Sequence, residues 1–175
     1  MTEYIYTKDD ECILSELEQF EIVEWVKNNY HRFRPTGTNR YMQLMILLND
    51  IPKCVWEIKD RIVKKEKLEN EIQEPLFKDA IGYMTDGGQL HKHTDPNRYG
   101  LVHTRFNVYV QIPIKGGLPT YGDQLISLKE RTYVCCRSGK DLHHCQLVEG
   151  DRARVILSYG FLLSEERVKN IKYLY

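Results

Sequence analysis

The spacing of the apolar residues changes near Ala80, and this change constrains the fold more than any other feature of the chain. In Thr104–Ile112 every second residue is apolar and the residues between are polar. Arg152–Phe161 repeats the pattern, with arginines and a serine on its polar side. Such alternation is typical of a strand with one face in a core. An ordinary sandwich would turn the apolar faces inward. Alternatively, those faces pack under helices while the polar faces line the lumen of a barrel or jelly roll that takes a charged ligand.

Helical rather than strand periodicity characterises residues 1–80. A first helix is predicted to end near Asn28-Asn29 and to bury a stripe with spacings of three and four. The residues of this stripe are Ile13, Leu17, Phe20 and Val23. The composition of Arg34–Asn39 indicates a loop. These features predict a helical region before the strands begin.

Two more helices are expected before the strands. One is predicted over Tyr41–Leu48 and the other after Ile51-Pro52, because proline favours the first positions of a helix. The last helix turns its apolar residues inward: Val55, Ile58, Ile62 and Val63. Its charged run, Lys64–Lys67, is predicted to be a solvated face and not a binding patch.

Length, charge and cysteine usage limit the class of protein. A chain of 175 residues predicts a single domain, here divided into a helical support region (1–80), a β core (81–163) and a C-terminal tail (164–175). The 25 basic and 25 acidic residues cancel, which argues against nucleic acid and membrane surfaces as partners. Five cysteines, two of them adjacent, without a secretory signal indicate a reducing, cytoplasmic location. No feature indicates an oligomeric state.

A histidine and an aspartate stand two residues apart in His93-Thr-Asp95. Residues i and i+2 of a strand point to the same side, so an imidazole and a carboxylate can meet at one ion there; His91 shares that side. Two histidines with one carboxylate form the facial triad of non-heme Fe(II) oxygenases, which leaves coordination positions open. The second histidine would be His143 or His144, which precede a basic strand.

Other readings of the late histidines and cysteines are weaker. Cys135, Cys136, His143, His144 and Cys145 include soft ligands suited to a structural zinc site. Adjacent cysteines of a strand point to opposite faces, however, so buried free thiols are the expected state. For a further histidine, His103, a place near the mouth of the site stays open, but a plain surface residue is the expectation.

The ordered set of motifs resembles the Fe(II)- and 2-oxoglutarate-dependent dioxygenases, of the prolyl-hydroxylase-like and aspartyl-hydroxylase-like type. The set comprises Gly87-Gly88, His93-Thr-Asp95, an alternating strand, a turn, a later histidine and Arg154 in Arg-Val-Ile-Leu-Ser-Tyr-Gly-Phe. The resemblance covers about residues 81–163. It implies a mainly β chain with N-terminal helices: a double-stranded β-helix, which is a cupin-like jelly roll, packed against about three helices.

The resemblance also implies the roles of the site residues. His93 and Asp95 would be iron ligands, with His143 as the third and His144 as the alternative. His143 is favoured by the residues that follow it, whereas His144 has the more usual ten-residue spacing to Arg154. Arg154 would hold the distal carboxylate of 2-oxoglutarate, with Arg152 in reserve. Three residues of the alternating strand would complete the pocket wall: Arg105, Asn107 and Tyr109.

The activity implied by the resemblance is oxidation with Fe(II), 2-oxoglutarate and O2, with ascorbate as a reductant. Such an enzyme hydroxylates a peptidyl or small-molecule substrate, which the sequence does not identify, and releases succinate and CO2. A different class of function stays open beside it, a non-catalytic cupin-like module that binds a metal or a ligand. Modification of nucleic acid by this fold is disfavoured by the zero net charge.

Overall fold

The computed structural model describes residues 4–5, 12–36, 41–45 and 50–171, with backbone alone for 4–5 and 41–45. Its helices are α1 (Glu16–Asn29), α2 (Lys53–Glu66) and α3 (Glu165–Lys169), and a 3-10 turn follows α1 at Tyr30–Arg32. The strands are β1 (Tyr4–Ile5), β2 (Arg34–Pro35), β3 (Tyr41–Met45), β4 (Ile72–Gln73), β5 (Asp79–Met84), β6 (Leu90–His93), β7 (Val102–Gln111), β8 (Lys115–Gly116), β9 (Pro119–Tyr121), β10 (Gln124–Ser127), β11 (Tyr133–Cys136), β12 (His143–Cys145), β13 (Val148–Glu149) and β14 (Arg154–Leu163). Among these helices, none combines the length and apolarity that a membrane crossing needs.

Two sheets face each other across a cavity. The major sheet has the order β11-β7-β14-β5-β3-β2, with β4 pairing with β14. The minor sheet has the order β1-β10-β9-β12-β6, and β8 with β13 forms a separate pair. All pairings are antiparallel except that of β1 with β10. This is the predicted mainly β architecture, a double-stranded β-helix with helices on one sheet.

The two faces of the major sheet are the reverse of an ordinary sandwich. The apolar faces of β7 and β14 pack with α1 and α2 in the main core, through Phe106, Val108, Val110, Val155, Leu157, Tyr159 and Phe161. The hydroxyl of Tyr159 donates a hydrogen bond to the carbonyl of Val55 in α2 at 2.5 Å. Since helices cover the apolar side, the polar side of the sheet is left to face the minor sheet and the cavity.

Helix α1 begins with a capping box that the sequence Ser15-x-x-Glu18 encodes. The Glu18 amide donates to the Ser15 hydroxyl at 3.2 Å, and the Ser15 amide donates to the Glu18 carboxylate at 2.7 Å. The helix ends at Asn29, as predicted. The predicted stripe is wrong in two places, because Leu17 and Phe20 are 76% and 65% exposed. The helix is rotated so that Ile22, Val23 and Val26 make its buried side.

Helix α2 follows Pro52 and buries Val55, Ile58 and Ile62 as predicted, whereas Val63 is only partly buried. The prediction that the charged run Lys64–Lys67 is solvated is wrong for one residue. Glu66 is buried and accepts a hydrogen bond from the hydroxyl of Tyr133 at 2.6 Å. The pairing was not visible in the sequence because its two residues lie 67 positions apart.

The predicted helix over Tyr41–Leu48 is wrong where the structure describes it. Tyr41–Met45 is strand β3, which pairs with β5, and residues 46–48 lie outside the described residues. Within the predicted loop, Arg34–Pro35 is strand β2, and residues 37–39 are not described. Thus residues 1–80 supply strands to the major sheet as well as helices. At the other end, the tail contains α3, which buries Val168.

The turn between β4 and β5 depends on a buried carboxylate, that of Glu74. It accepts hydrogen bonds from the backbone amides of Leu76, Phe77 and Lys78 at 2.9, 2.6 and 3.0 Å. Burial alone would raise the pKa of this carboxyl, but the amides of Leu76 and Phe77, together with the nearby His103 and Arg105, hold the pKa below its ordinary value. The charged form is therefore the one that the fold stabilises, and it fixes a turn whose Phe77 lines the cavity.

Glu74→Gln should lower the free energy of unfolding at pH 7 by about 1–3 kcal/mol, because an amide cannot satisfy three donors as a carboxylate does. A group with a lowered folded pKa contributes stability above its unfolded pKa and loses it as the pH falls through the folded pKa. The difference between wild type and variant should therefore shrink below about pH 4.5. Urea unfolding at several pH values measures it, with the exposed Glu69→Gln as the control. A difference that stays constant down to pH 2 would contradict this role.

Candidate metal centre and cavity

The pairing of β6 with β12 brings two histidines together. His93 ends β6 and is directly opposite His143 in β12, and their ring centroids lie 4.2 Å apart. Asp95 follows two residues after His93, with its Oδ1 3.7 Å from His93 Nε2. One ligand atom of each residue lies within 4.8 Å of the other two. Among the residues that the structure describes, no other group of three or more His, Cys, Asp or Glu side chains is arranged in this way.

Both imidazoles present Nε2 as the coordinating atom. His93 Nδ1 lies 2.7 Å from the carbonyl of His91, and His143 Nδ1 lies 3.0 Å from the carbonyl of Asp141. A carbonyl only accepts, so each Nδ1 carries the proton and each Nε2 keeps a lone pair. Burial lowers the pKa of His143 below its ordinary value, which favours the neutral form that a metal needs. The backbone carbonyls thus orient both rings as ligands.

The other candidates near the centre take different positions. His91 is exposed and contributes its carbonyl rather than its ring. His144 lines the cavity but is outside the group of converging ligand atoms. Cys135 faces the helix-side core, whereas the adjacent Cys136 faces the cavity, as expected for neighbours in a strand. The five cysteines are free thiols. This separation leaves no zinc site of the kind considered from the sequence among the described residues.

A backbone frame holds the segment that follows His93. The amide of Asp95 donates to the carbonyl of Ser138 at 2.7 Å. The Asn97 side chain donates to the carbonyl of Gly139 at 2.9 Å and accepts from the amide of His103 at 2.9 Å. A Cβ on residue 139 would lie 1.9 Å from the Asn97 oxygen, so this close approach requires glycine. The segment that carries Asp95 is therefore held by hydrogen bonds to residues 138–139 and to the start of β7.

Across the cavity from the histidines, the major sheet carries a buried arginine. Arg154, at the start of β14, is 4% exposed, and its guanidinium carbon lies 5.5 Å from the ring centroid of Tyr109. The Tyr109 and Tyr121 hydroxyl oxygens are 3.3 Å apart. Burial raises the pKa of Tyr109 to about 12 and that of Tyr121 well above its ordinary value. Both phenols therefore remain protonated near neutral pH and can act as hydrogen-bond donors.

A chain of hydrogen bonds links the polar face of the major sheet to Tyr121. The Asn107 amide donates to the Tyr121 hydroxyl at 3.2 Å, and the Ser158 hydroxyl donates to the Asn107 oxygen at 2.6 Å. Of the wall residues proposed from the sequence, Asn107 lines the cavity, whereas Tyr109 is not among the lining residues and contacts Tyr121. Sequence reasoning missed Tyr121 and Ser158. Ser158 could have been found from its place on the polar face of the arginine strand. Tyr121 gave no such signal, because its strand has only three residues.

The two other arginines proposed for the pocket have partners of their own. Arg105 lines the cavity, donates to the carbonyl of Lys78 at 2.6 Å and lies 3.8 Å from Glu74. Arg152 lies outside this cavity, forms an ion pair with Glu130 at 2.6 Å and donates to a backbone carbonyl. Because β14 begins only at Arg154, the strand pattern does not extend to Arg152. The structure therefore does not bring Arg152 to the metal centre.

The expectation of a surface position for His103 is wrong. The residue is fully buried, and its Nε2 lies 4.0 Å from Oδ2 of Asp95. It occupies the cavity-facing side of β7, two residues before Arg105. A polar residue in an alternating pattern at a strand end can be solvated or buried. The packing of residues 95–97 and 138–139 determines which of the two applies to His103.

The cavity between the sheets has a volume of about 240 Å³. Its minor-sheet side offers two imidazoles, a carboxylate and the phenol of Tyr121, and its major-sheet wall offers the buried guanidinium of Arg154. Such a space can hold a divalent metal on one side and an anion of a few carbon atoms on the other. The arrangement defines a class of protein: a double-stranded β-helix with a His-Asp-His centre inside its barrel.

Comparison with solved structures identifies proteins of similar fold. Viral collagen prolyl hydroxylase of Paramecium Bursaria Chlorella virus-1, in a 2-oxoglutarate complex, is similar over 88% of this chain and 93% of its own, with a TM-score of 0.61 and 17% identity. HygX from Streptomyces hygroscopicus, with nickel and 2-oxoglutarate bound, matches 88% of this chain and 81% of its own, with a TM-score of 0.61 and 11% identity. A Pseudomonas putida prolyl-4-hydroxylase matches 88% of this chain and 90% of its own, with a TM-score of 0.60 and 14% identity.

These likenesses confirm, at the level of the fold, the resemblance to Fe(II)- and 2-oxoglutarate-dependent oxygenases. Sequence comparison adds nothing to them, since no protein-family model and no curated protein matches the chain. The chain therefore shares an architecture with these proteins at a low level of sequence identity.

His143→Ala should weaken binding of Co(II), used as an air-stable probe, by more than the roughly 10- to 100-fold that loss of a supporting outer residue costs. The matched control His144→Ala removes the neighbouring imidazole and should change the affinity less than about twofold. Anaerobic titration followed by visible absorption measures both. A larger loss for His144→Ala than for His143→Ala would assign the third ligand to His144.

Proposed function

We propose that this chain is an Fe(II)- and 2-oxoglutarate-dependent oxygenase, a hydroxylase in which one domain carries the site between its two sheets. The single observation that carries the proposal is the convergence of His93, Asp95 and His143 in a cavity whose opposite wall holds Arg154. Proteins of similar fold support the proposal, since two of them are known with 2-oxoglutarate bound and others are prolyl hydroxylases.

The donor set fits Fe(II). Two neutral imidazoles and one carboxylate are ligands that a ferrous ion accepts, and three protein ligands leave coordination positions for other molecules. When bound, the iron supplies activation of O2 for the oxidation. The protein holds His93 and His143 in the required tautomer through backbone carbonyls and fixes Asp95 through its amide. These contacts make the coordination geometry a property of the fold.

Arg154 is the proposed partner of the distal carboxylate of 2-oxoglutarate. A guanidinium binds a carboxylate through two parallel hydrogen bonds, and burial strengthens the attraction by excluding water. The protonated hydroxyls of Tyr109 and Tyr121 stand beside it and provide further donors. Asn107 and Ser158 orient these donors through the hydrogen-bond chain. Arg105 lines the same cavity and is held by its hydrogen bond to the carbonyl of Lys78.

The primary substrate is proposed to be a peptidyl group or a small molecule. Among the relatives in fold, a prolyl hydroxylase from Trichoplax adhaerens is in complex with a peptide fragment, and HygX is also known with hygromycin B bound. Another relative is described as an epimerase, SnoN, so the fold alone does not dictate hydroxylation. Hydroxylation with release of succinate and CO2 is the reaction that we propose for this chain.

Turnover without the primary substrate tests the function. Purified protein with Fe(II), ascorbate and O2 should convert 2-oxoglutarate slowly to succinate, as measured by chromatography of the acids. The variant His93→Ala is the control for adventitious iron chemistry and should produce no more succinate than buffer. Metal binding without turnover or saturable 2-oxoglutarate binding would favour the non-catalytic cupin-like module instead.

Arg154→Ala should weaken 2-oxoglutarate binding at least about tenfold, because a charge-assisted pair contributes on the order of 1.5–3 kcal/mol. The matched control is Arg152→Ala, which removes an arginine two residues away that faces Glu130 outside the cavity. Calorimetry with Ni(II) in place of iron measures the affinity. Equal weakening by both variants, or none by Arg154→Ala, would refute the assignment, provided that metal content is unchanged.

A further inference from the structure

His103 is a buried imidazole that the proposed function leaves without a role. It is fully buried, and neither ring nitrogen makes a hydrogen bond of ordinary geometry; the interaction with the backbone of Pro96 is weaker than that. A buried polar group in this state is destabilising, so a fold that retains one invites an explanation. The nearest carboxylate oxygen that can explain it is Oδ2 of Asp95, 4.0 Å from His103 Nε2.

The carboxylate of Asp95 lies between two imidazoles. Its Oδ1 is 3.7 Å from His93 Nε2, on the side where the three ligand atoms converge, and its Oδ2 is directed to His103. A hydrogen bond of this type has a length of about 2.9 Å, so a shift of the carboxylate by roughly 1 Å closes the contact. A torsion about the Asp95 side chain suffices for such a shift, since one Asp oxygen can move while the backbone stays fixed.

The backbone of His103 is held in place. Its backbone amide donates to the Asn97 side chain, and its carbonyl accepts from the Gly139 amide at 2.9 Å and the Ser138 hydroxyl at 3.2 Å. Asp95 belongs to the same frame, because its amide donates to the carbonyl of Ser138. The backbones of the two residues are thus held by one set of hydrogen bonds, which keeps their side chains within reach of each other.

We propose that His103 is a positioning residue for the metal centre: its Nε2–H donates to Oδ2 of Asp95 when Oδ1 binds the metal. The proposal rests on the proposed function, since it requires a metal at His93, Asp95 and His143. A carboxylate can bind a metal through one oxygen or two. By engaging Oδ2, His103 keeps Asp95 to one coordination position, which leaves the remaining positions for the cosubstrate and O2.

The contact predicts opposite responses in the metal-free and metal-bound protein. In the metal-free protein the ring nitrogens make no hydrogen bond of ordinary geometry, so replacing the imidazole with an apolar side chain of similar size removes no strong hydrogen bond. In the metal-bound protein the same replacement removes the outer partner of a ligand. A residue that merely filled space would lower the stability of the metal-free protein and leave metal affinity unchanged.

The experiment compares wild type, His103→Leu and His103→Gln, full-length and metal-stripped, in anaerobic titrations with Co(II). His103→Leu should keep the wild-type melting temperature without metal and bind Co(II) roughly 10- to 100-fold more weakly. His103→Gln carries an amide donor at a similar reach to Nε2, and it should recover most of the affinity. The Co(II) absorption spectrum should also change in His103→Leu, because Asp95 is then able to bind through both oxygens.

The outcomes separate the two proposals. If wild type binds Co(II) and His103→Leu binds it equally well, the positioning role is refuted while the metal centre stands. If His103→Leu fails to fold or melts well below wild type without metal, the residue is structural and the inference is also refuted. If wild type itself binds no Co(II), the proposed function fails, and the role of His103 fails with it.

Discussion

The register between β6 and β12 is the constraint on which the site depends. It puts His93 opposite His143, so that two imidazoles from positions fifty residues apart share one side of the minor sheet. A shift by one residue would turn His143 away and bring His144 to its place, because side chains of a strand alternate between faces. The convergence of the two histidines is thus a consequence of strand pairing. Asp95 is brought to them by the hydrogen bond between its amide and the carbonyl of Ser138.

A polar interior requires that the apolar residues be buried elsewhere. Helices α1 and α2 cover the outer face of the major sheet, and this packing frees the inner face to carry Arg154, Asn107 and Ser158. Isolated polar groups would be costly in that position, and the hydrogen-bond chain from Ser158 through Asn107 to the tyrosines reduces the cost. Hence the N-terminal helices support the proposed chemistry without contributing a ligand.

The two sheets divide the work of the proposed site. The minor sheet carries the proposed metal ligands His93 and His143 as well as Tyr121, and the major sheet carries Arg154 and Tyr109, which we propose to bind an anion. The separation matches a molecule that binds a metal at one end and carries a carboxylate at the other. Prolyl hydroxylases and an epimerase share this architecture.

Sequence alone determined the features that depend on local spacing. The alternation in Thr104–Ile112 and Arg152–Phe161 predicted both long strands and their polar faces, and His93-Thr-Asp95 marked one edge of the centre. Period-two patterns and motifs are local, so a single sequence records them. The same reading failed where periodicity was ambiguous, as for Leu17 and Phe20, whose helix is rotated by its packing.

Tertiary structure decided everything that rests on distant pairing. Pairing with β5 made Tyr41–Met45 a strand. The ion pair with Glu130 holds Arg152 outside the cavity, and the pairing of β6 with β12 brought His143 rather than His144 to His93. The tertiary structure also buried His103 beside Asp95, where the sequence predicted a surface residue. Each of these depends on which segments meet, and strand register and burial are set by contacts across the whole chain.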